Sequence, residues 1–226
     1  MDKFNIAIDG PAGAGKSTAA RLVAQRLGFI YVDTGAMYRA VTWKALSLGL
    51  RPDQTDAIAA MADSMELEIL PGANGQIVLV DGRDVTEEIR SAAVTSNVSA
   101  VSQIPEVRAR LVGMQKRMAD EKGVVMDGRD IGTQVLPNAE VKVFLTASVK
   151  ARAARRFEEI KLKQPNITLE QVEQDQAERD RMDQEREVSP LRRASDAVLL
   201  DATELNPEQV AERILEISRA SSGKGA

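Results

Sequence analysis

The 226-residue chain contains no cysteine and no histidine. Without thiols there is no disulfide and no cysteine nucleophile, and without imidazole there is no Ser-His or Cys-His triad and no histidine-held zinc. Aromatic residues make up 3% of the chain, so the core is expected to be mostly aliphatic. No window approaches 18 consecutive apolar residues, and the strand-like run that follows Met1-Asp2-Lys3 has no signal-type apolar stretch before it. A soluble cytoplasmic protein without a membrane partner is expected. Positive charge is not in excess either: 30 Lys and Arg against 34 Asp and Glu give a formal net charge of −4, which argues against nucleic acid as the main partner. Carboxylates, hydroxyls, Lys and Arg remain for chemistry, an inventory suited to phosphate groups and oxygen-bound Mg²⁺.

With 43% hydrophobic and 28% charged residues the composition is that of an ordinary globular protein. Asn5 to Asp9 is a short apolar run, and Lys16 to Leu27 places Ala19, Leu22, Val23 and Leu27 at helical spacing, with Gly28 where a helix end favours glycine. Phe29 to Val32 then reads as a second strand, completing a βαβ unit and making a parallel sheet the default. Asp33 or Thr34 can cap a helix to about Leu48, and Thr55 a helix from Asp56 to Met65. Leu67 to Leu70 and Gln76 to Val80, joined by the Pro71–Gly75 turn and followed by Asp81-Gly82 and Arg83 to Val85, predict a small antiparallel insertion. Helical signals resume at Thr86 and Ser91, and Pro105 opens a helix expected to reach Lys122. Val124 to Asp127, Val141 to Leu145 and Ala197 to Asp201 are further core strands, which brings the parallel set to five. The charge-dense stretch from Ser148 to Arg193 reads as two helices, split at Pro165-Asn166 and restarted by a capping box at Thr168 and Gln171. Asn206-Pro207-Glu208 starts a last helix with Val210, Ile214 and Ile217 inward, and 221–226 reads as a frayed tail. The expected organisation is one domain with a discontinuous core (1–59, 96–149 and 191–226), an insertion at 60–95 and a helical hairpin at 150–190.

Gly10, Pro11, Ala12, Gly13, Ala14, Gly15, Lys16 and Ser17, followed by Thr18, match GxxxxGK(S/T) between a strand and a helix. In a P-loop of this kind backbone N–H groups and the helix N-terminus hold phosphates, Lys16 reaches the β and γ phosphates, and Ser17 binds Mg²⁺. The loop alone implies a nucleoside triphosphate, with ATP expected since the guanine-reading NKxD of GTPases does not occur, and the segments that follow it decide the reaction. Thr34 and Arg39, just beyond the second strand, suit a monophosphate dianion, although Arg39 taken alone also fits a solvated helix charge. Asp127 leaves an apolar strand as a Walker B carboxylate does, to orient Mg²⁺ or its waters; alternatively it caps its turn while Arg129 pairs with Asp130 at the surface. Arg152, Arg155 and Arg156, with Arg179, Asp183 and Arg186 at i, i+4 and i+7, form either a solvated mixed-charge face or a closing arm for phosphoryl transfer.

Taken together, Gly10 to Thr18, Asp33 to Arg39, Ser99 with Pro105 and Arg108, Asp127 to Thr133, and Glu178-Arg179-Asp180 through Pro190-Leu191 resemble the bacterial-type cytidylate kinases in order and spacing. The resemblance implies a P-loop kinase: a five-stranded parallel core flanked by helices, a β-containing monophosphate-binding insertion, a helical lid and ATP-dependent phosphorylation of CMP and dCMP. A monomer is expected separately, because no heptad array or apolar exposed stripe demands a partner. The resemblance assigns the acceptor phosphate to Thr34, Arg39, Arg129 and Arg186, the pentose to Arg179 and Asp183, and the base to Ser99, Arg108 and Asp130. Lys16, Arg152 and Arg156 would face the transferring group, with Ser17 and Asp127 on the Mg²⁺ side. These base assignments agree with cytosine chemistry: a carboxylate accepts from the N4 amino group and an arginine donates to N3 or O2, whereas uracil would set a carbonyl against Asp130. Other P-loop kinases, acting on AMP, UMP or a metabolite such as shikimate, and a non-catalytic nucleotide-binding module are the competing readings.

Overall fold

The computed structural model describes residues 3–72, 75–162 and 164–222. In chain order the elements are β1 (Ile6–Asp9), α1 (Lys16–Leu27), β2 (Ile30–Asp33), α2 (Thr34–Ser47), α3 (Thr55–Ser64), β3 (Leu67–Gly72), β4 (Gly75–Val80), β5 (Arg83–Asp84), α4 (Ala92–Val101), α5 (Pro105–Met118), β6 (Val124–Gly128), β7 (Val141–Thr146), α6 (Val149–Ile160), α7 (Leu169–Glu185), β8 (Val198–Asp201) and α8 (Pro207–Ser222). A 3₁₀ turn lies at Glu88–Arg90 and a π-helical turn at Ile131–Val135.

Along β1 the side chains alternate between two buried faces. Ile6 and Ile8 pack with Val125, Val141, Val143 and Leu145 beneath α1 and α8, while Ala7 packs with Val32, Val124 and Met126 on the other face. Burial on both faces is the condition of a parallel strand. The sheet runs β2-β6-β1-β7-β8, with every pairing parallel, as expected for five core strands. The first βαβ unit needs correction: β6 lies between β1 and β2, which are not neighbours. The phosphate loop is thereby set at the middle of the sheet, with β6 and β7 to either side.

A third apolar cluster joins α2, α3, α4 and α5 to β3 and β4 through Met37, Ile58, Val98, Leu111, Leu67 and Val78. There β3, β4 and β5 form an antiparallel sheet. Asp81 (φ 50) and Gly82 (φ 76) both take left-handed conformations, the two-residue hairpin geometry that Asp-Gly favours. Two residues of the other expected turn, Ala73 and Asn74, lie outside the described residues, as does 223–226 of the expected tail; Ser221 belongs to α8.

Two helix boundaries differ from expectation. Thr55 is the first residue of α3 rather than its cap, because Ile58 N–H bonds the Gln54 carbonyl one step earlier. Helix α5 stops at Met118, four residues before Lys122, which itself takes a left-handed φ of 56 and leads into Gly123. In the hairpin the capping box is as expected, with the Thr168 hydroxyl accepting from Gln171 N–H and Gln171 Oε1 accepting from Thr168 N–H. Leu162, two residues past α6, is 87% exposed. Among the described residues no helix is long and apolar enough to cross a membrane.

Candidate active site

At Gly10 the chain leaves β1 so close to β7 that a Cβ would lie 1.9 Å from the Leu145 carbonyl oxygen, which makes glycine obligatory there. Gly15 (φ 94) stands at the N-cap of α1, whose first N–H groups have no acceptor within the helix and face the loop. Lys16 is buried and curls back to donate to the Pro11 carbonyl (2.8 Å). The Ser17 hydroxyl donates to Asp127 Oδ2 (3.0 Å), and Tyr31 donates to Asp127 Oδ1 (2.9 Å). Thr34 donates to the Asp127 carbonyl (2.8 Å), so its hydroxyl sits at the mouth of β6.

Ser17 and Asp127 present hard oxygen donors side by side, the ligand type that Mg²⁺ prefers when substrate phosphates complete its shell. Among the described residues no group of three or more Asp, Glu, His or Cys side chains could hold a metal ion. Burial, reinforced by the nearby Asp33, raises the Asp127 carboxyl above its ordinary range. Lys16 is lowered, first by burial and then by the Arg129 guanidinium. Because β1 and β6 pair with Asp9 opposite Gly128, the loop that leads to Lys16 and the turn that carries Arg129 leave the sheet side by side.

On the facing side the arginines crowd. Arg129 Nε donates to Asp183 Oδ2 at 2.7 Å, linking the turn after β6 to α7. Arg39 donates to Thr95 Oγ1 (2.9 Å). Burial brings Arg39 down to about 10, with Arg90, Arg156 and Arg129 adding to the effect and Asp33 opposing it. Arg179 is also lowered to about 10, by burial and then by Arg129 and Arg39. Its buried Nε has no hydrogen-bond partner among the described residues. A buried donor left in this way costs about 1–3 kcal/mol until an acceptor arrives.

Asp183 follows the opposite logic. Burial works against its ionisation, yet Arg129 and the neighbouring arginines hold its carboxyl below the ordinary value. It therefore adds stability above the unfolded pKa of about 3.9 and loses that contribution as pH falls through the depressed folded value. Urea midpoints measured from pH 6 to pH 3 should fall less steeply for Asp183→Asn than for the parent chain. Parallel slopes would mean that the Arg129–Asp183 pair carries no pH-linked stability.

The base-reading candidates also meet. Arg108 donates to Asp130 and to the Ser102 carbonyl (3.1 Å), and its guanidinium lies 5.4 Å from the centre of the Tyr38 ring. Arg186 Nη2 is 3.6 Å from Asp130 Oδ1, and Arg186 Nε donates to the Ser189 carbonyl. Arg186 is the first residue past α7 (φ −56, ψ 138), not a member of a continuous face with Arg179 and Asp183. Ser99 is half-buried on α4, a helix that contacts α7. The surface pairing of Arg129 with Asp130 does not form: Arg129 bonds Asp183, and Asp130 bonds Arg108.

Arg152 does not present a free guanidinium to the crevice. It is bonded at both terminal nitrogens to Asp180 (3.1 and 2.5 Å), and it also donates to the carbonyls of Ala12 (3.0 Å) and Ala147 (2.9 Å), bracing the hairpin against the phosphate loop. Arg155 likewise bonds the Ala202 carbonyl. Among the described residues Arg156 pairs with Glu159 on its own helix alone, is partly exposed, and lies close enough for its charge to lower Arg39 and Arg179. Four residues of the site were not foreseen: Asp9, Tyr31, Asp33 as an acidic neighbour of Arg39 and Arg90, and Asp180. A signal for Asp9 did exist, since Asp9-Gly10 and Asp127-Gly128 end paired strands with the same dipeptide.

Comparison with known proteins adds three findings. The family model described as "Cytidylate kinase" matches residues 6–220. A protein of Geobacillus kaustophilus named "Cytidylate kinase" is 53% identical over 215 residues, covering 95% of this chain and 96% of its own, and one of Bacillus velezensis with the same name is 50% identical over 223 residues, covering 98% and 100%. Among solved structures, a shikimate kinase from Bacteroides thetaiotaomicron superposes with a TM-score of 0.50 at 11% identity over 96% of this chain and 99% of its own, a likeness of fold alone.

Proposed function

The chain belongs to the cytidylate kinase family, and from that premise we propose that its crevice transfers the γ-phosphoryl group of ATP to CMP and dCMP. The observation that carries this reading is that Arg129, bonded to Asp183, leaves β6 next to the phosphate loop, with Arg39 and Arg179 close enough for its charge to lower both. Like charges gathered in a desolvated crevice raise its energy, and a polyanionic ligand relieves that cost.

In the proposal the loop N–H groups and Lys16 hold the β and γ phosphates. Thr34, Arg39, Arg129 and Arg186 take the acceptor phosphate, with Arg179 and Asp183 at the pentose and Ser99, Arg108 and Asp130 at the base. An oxygen of the CMP phosphate, already anionic at neutral pH, attacks the γ-phosphorus in line. The bond to the β–γ bridging oxygen breaks and ADP departs, so no protein base is required. Mg²⁺, held by Ser17 and Asp127, would supply charge neutralisation on the phosphate oxygens. Arg156, which unlike Arg152 and Arg155 makes no long-range bond among the described residues, is assigned to the transferring group. Arg152 keeps its place at the phosphate loop through the Ala12 carbonyl. Residues 60–95 serve as the monophosphate-binding insertion and 150–190 as the lid. A monomer is the proposed working unit.

The test is ADP release from MgATP with CMP, dCMP, UMP, dTMP and AMP offered separately. CMP and dCMP should be the best acceptors; AMP or UMP in first place would move the chain to another kinase specificity, and no ADP with any acceptor would leave a binding module. Asp130→Asn should narrow the CMP-over-UMP preference by roughly 5- to 150-fold, the value of one hydrogen bond lost or turned repulsive. An unchanged ratio would mean that the base is read elsewhere.

A further inference from the structure

Asp9 is 4% exposed and ends β1 immediately before the first glycine of the phosphate loop. Its Oδ1 accepts the Ile131 N–H and its Oδ2 the Gly132 N–H, both at 2.7 Å. Those two amides open the π-helical turn Ile131–Val135, and the opening N–H groups of a helical turn find no acceptor inside it. Asp130 occupies the capping position of the same turn, where an aspartate commonly folds its side chain back to accept such N–H groups. Here it makes no capping bond. Its carboxylate goes instead to Arg108, with Arg186 close by.

We propose that Asp9 is a positioning residue for base selection: by capping the Ile131–Val135 turn from a different strand, it frees the Asp130 carboxylate to face cytosine. This rests on the reading of Asp130 as a residue that contacts the base. The packing around the turn supports it. A Cβ on Gly132 would stand 3.3 Å from Asp9 Oδ2 and 3.3 Å from Lys142 Cδ, so the turn is seated directly on the Asp9 carboxylate. Burial lifts the Asp9 carboxyl to about 6 while the two amides pull it back, as befits a desolvated group whose acceptors are occupied. Without that cap, two orphaned amides lie within reach of the side chain at position 130, and capping competes with base contact for the one carboxylate.

A rival role is local, in which Asp9 acts on the adjacent loop and on Lys16, whose charge it influences. The two roles differ in what they move: base selection changes KM for the pyrimidine nucleotide and the CMP:UMP ratio, while a loop role changes KM for ATP. Steady-state kinetics with CMP and UMP should be measured for Asp9→Ala, Gly132→Ala, Asp130→Asn and the double variant Asp9→Ala/Asp130→Asn. Asp9→Ala is expected to raise KM for CMP and to lower the CMP:UMP ratio, each about tenfold, with KM for ATP within about twofold. In the double variant the ratio should fall no further than in Asp130→Asn alone.

Additive losses in the double variant, or a changed KM for ATP with the ratio intact, would overturn the role. If Asp9→Ala does not fold, Gly132→Ala decides by the same ratio, because it pushes the turn away while keeping the carboxylate. The two failures are separable. A ratio lowered by Asp130→Asn but untouched by Asp9→Ala and Gly132→Ala refutes the inference alone, whereas a ratio untouched by Asp130→Asn refutes the base reading and the inference with it.

Discussion

Lys16→Ala should lower kcat by about 10³-fold, the scale set by removing a preorganised cation or donor from a developing phosphoryl charge. The fold should survive. Among the described residues the side chain makes one hydrogen bond, to the Pro11 carbonyl, whose loss costs about 1 kcal/mol. Against that stands the removal of an ammonium group that burial and Arg129 already disfavour. The thermal midpoint should therefore stay within about 5 °C of the parent, and Lys16→Met, which keeps most of the aliphatic stem, should be equally inactive. ADP release followed beside circular dichroism on the same preparations gives both numbers. Normal turnover in a folded Lys16→Ala protein would remove Lys16 from the chemistry.

Arg129→Ala should reduce kcat/KM for CMP by roughly 10²- to 10³-fold, and unlike Lys16→Ala it should also weaken the fold. Arg129 is the direct partner of Asp183, and both side chains are largely buried. Truncating one member of such a pair leaves the other charge desolvated and alone, at a cost of about 3 kcal/mol. Arg129→Lys separates the two effects. A lysine restores a charge opposite Asp183 and should recover much of the stability, but as a point charge it cannot give both Asp183 and a phosphate the planar, forked contact of a guanidinium. Activity should recover less than stability does. Equal recovery of both would mean that Arg129 acts only as a counter-ion.

The parts of this protein that could be read from its sequence are those in which cause and effect lie within about a dozen residues. The apolar runs of β1 and β6, the glycines around Lys16 and the Thr168–Gln171 capping box each determine their own conformation, and each was found where expected. Helix ends were less legible. The choice between Met118 and Lys122 as the end of α5 depends on where the chain must turn to enter β6, which no local propensity encodes. The links that make a site out of these pieces span long stretches of chain. Ile131 and Gly132 lie more than 120 residues from Asp9, and Ala12 lies 140 residues from Arg152. Arginines in the hairpin therefore looked interchangeable by spacing, whereas in space Arg152 is a brace, Arg155 an anchor on the segment after β8 and Arg156 a partly exposed group near the crevice.

The tip of the α6–α7 hairpin offers an experimental handle. Leu162 is 87% exposed, and the chain has no native thiol. Leu162→Cys would introduce a unique attachment point for a maleimide dye without removing a core contact. Paired with a second engineered cysteine on α3, that label would give a distance ruler across the molecule, read by energy transfer between single fluorophore pairs as nucleotides are added one at a time.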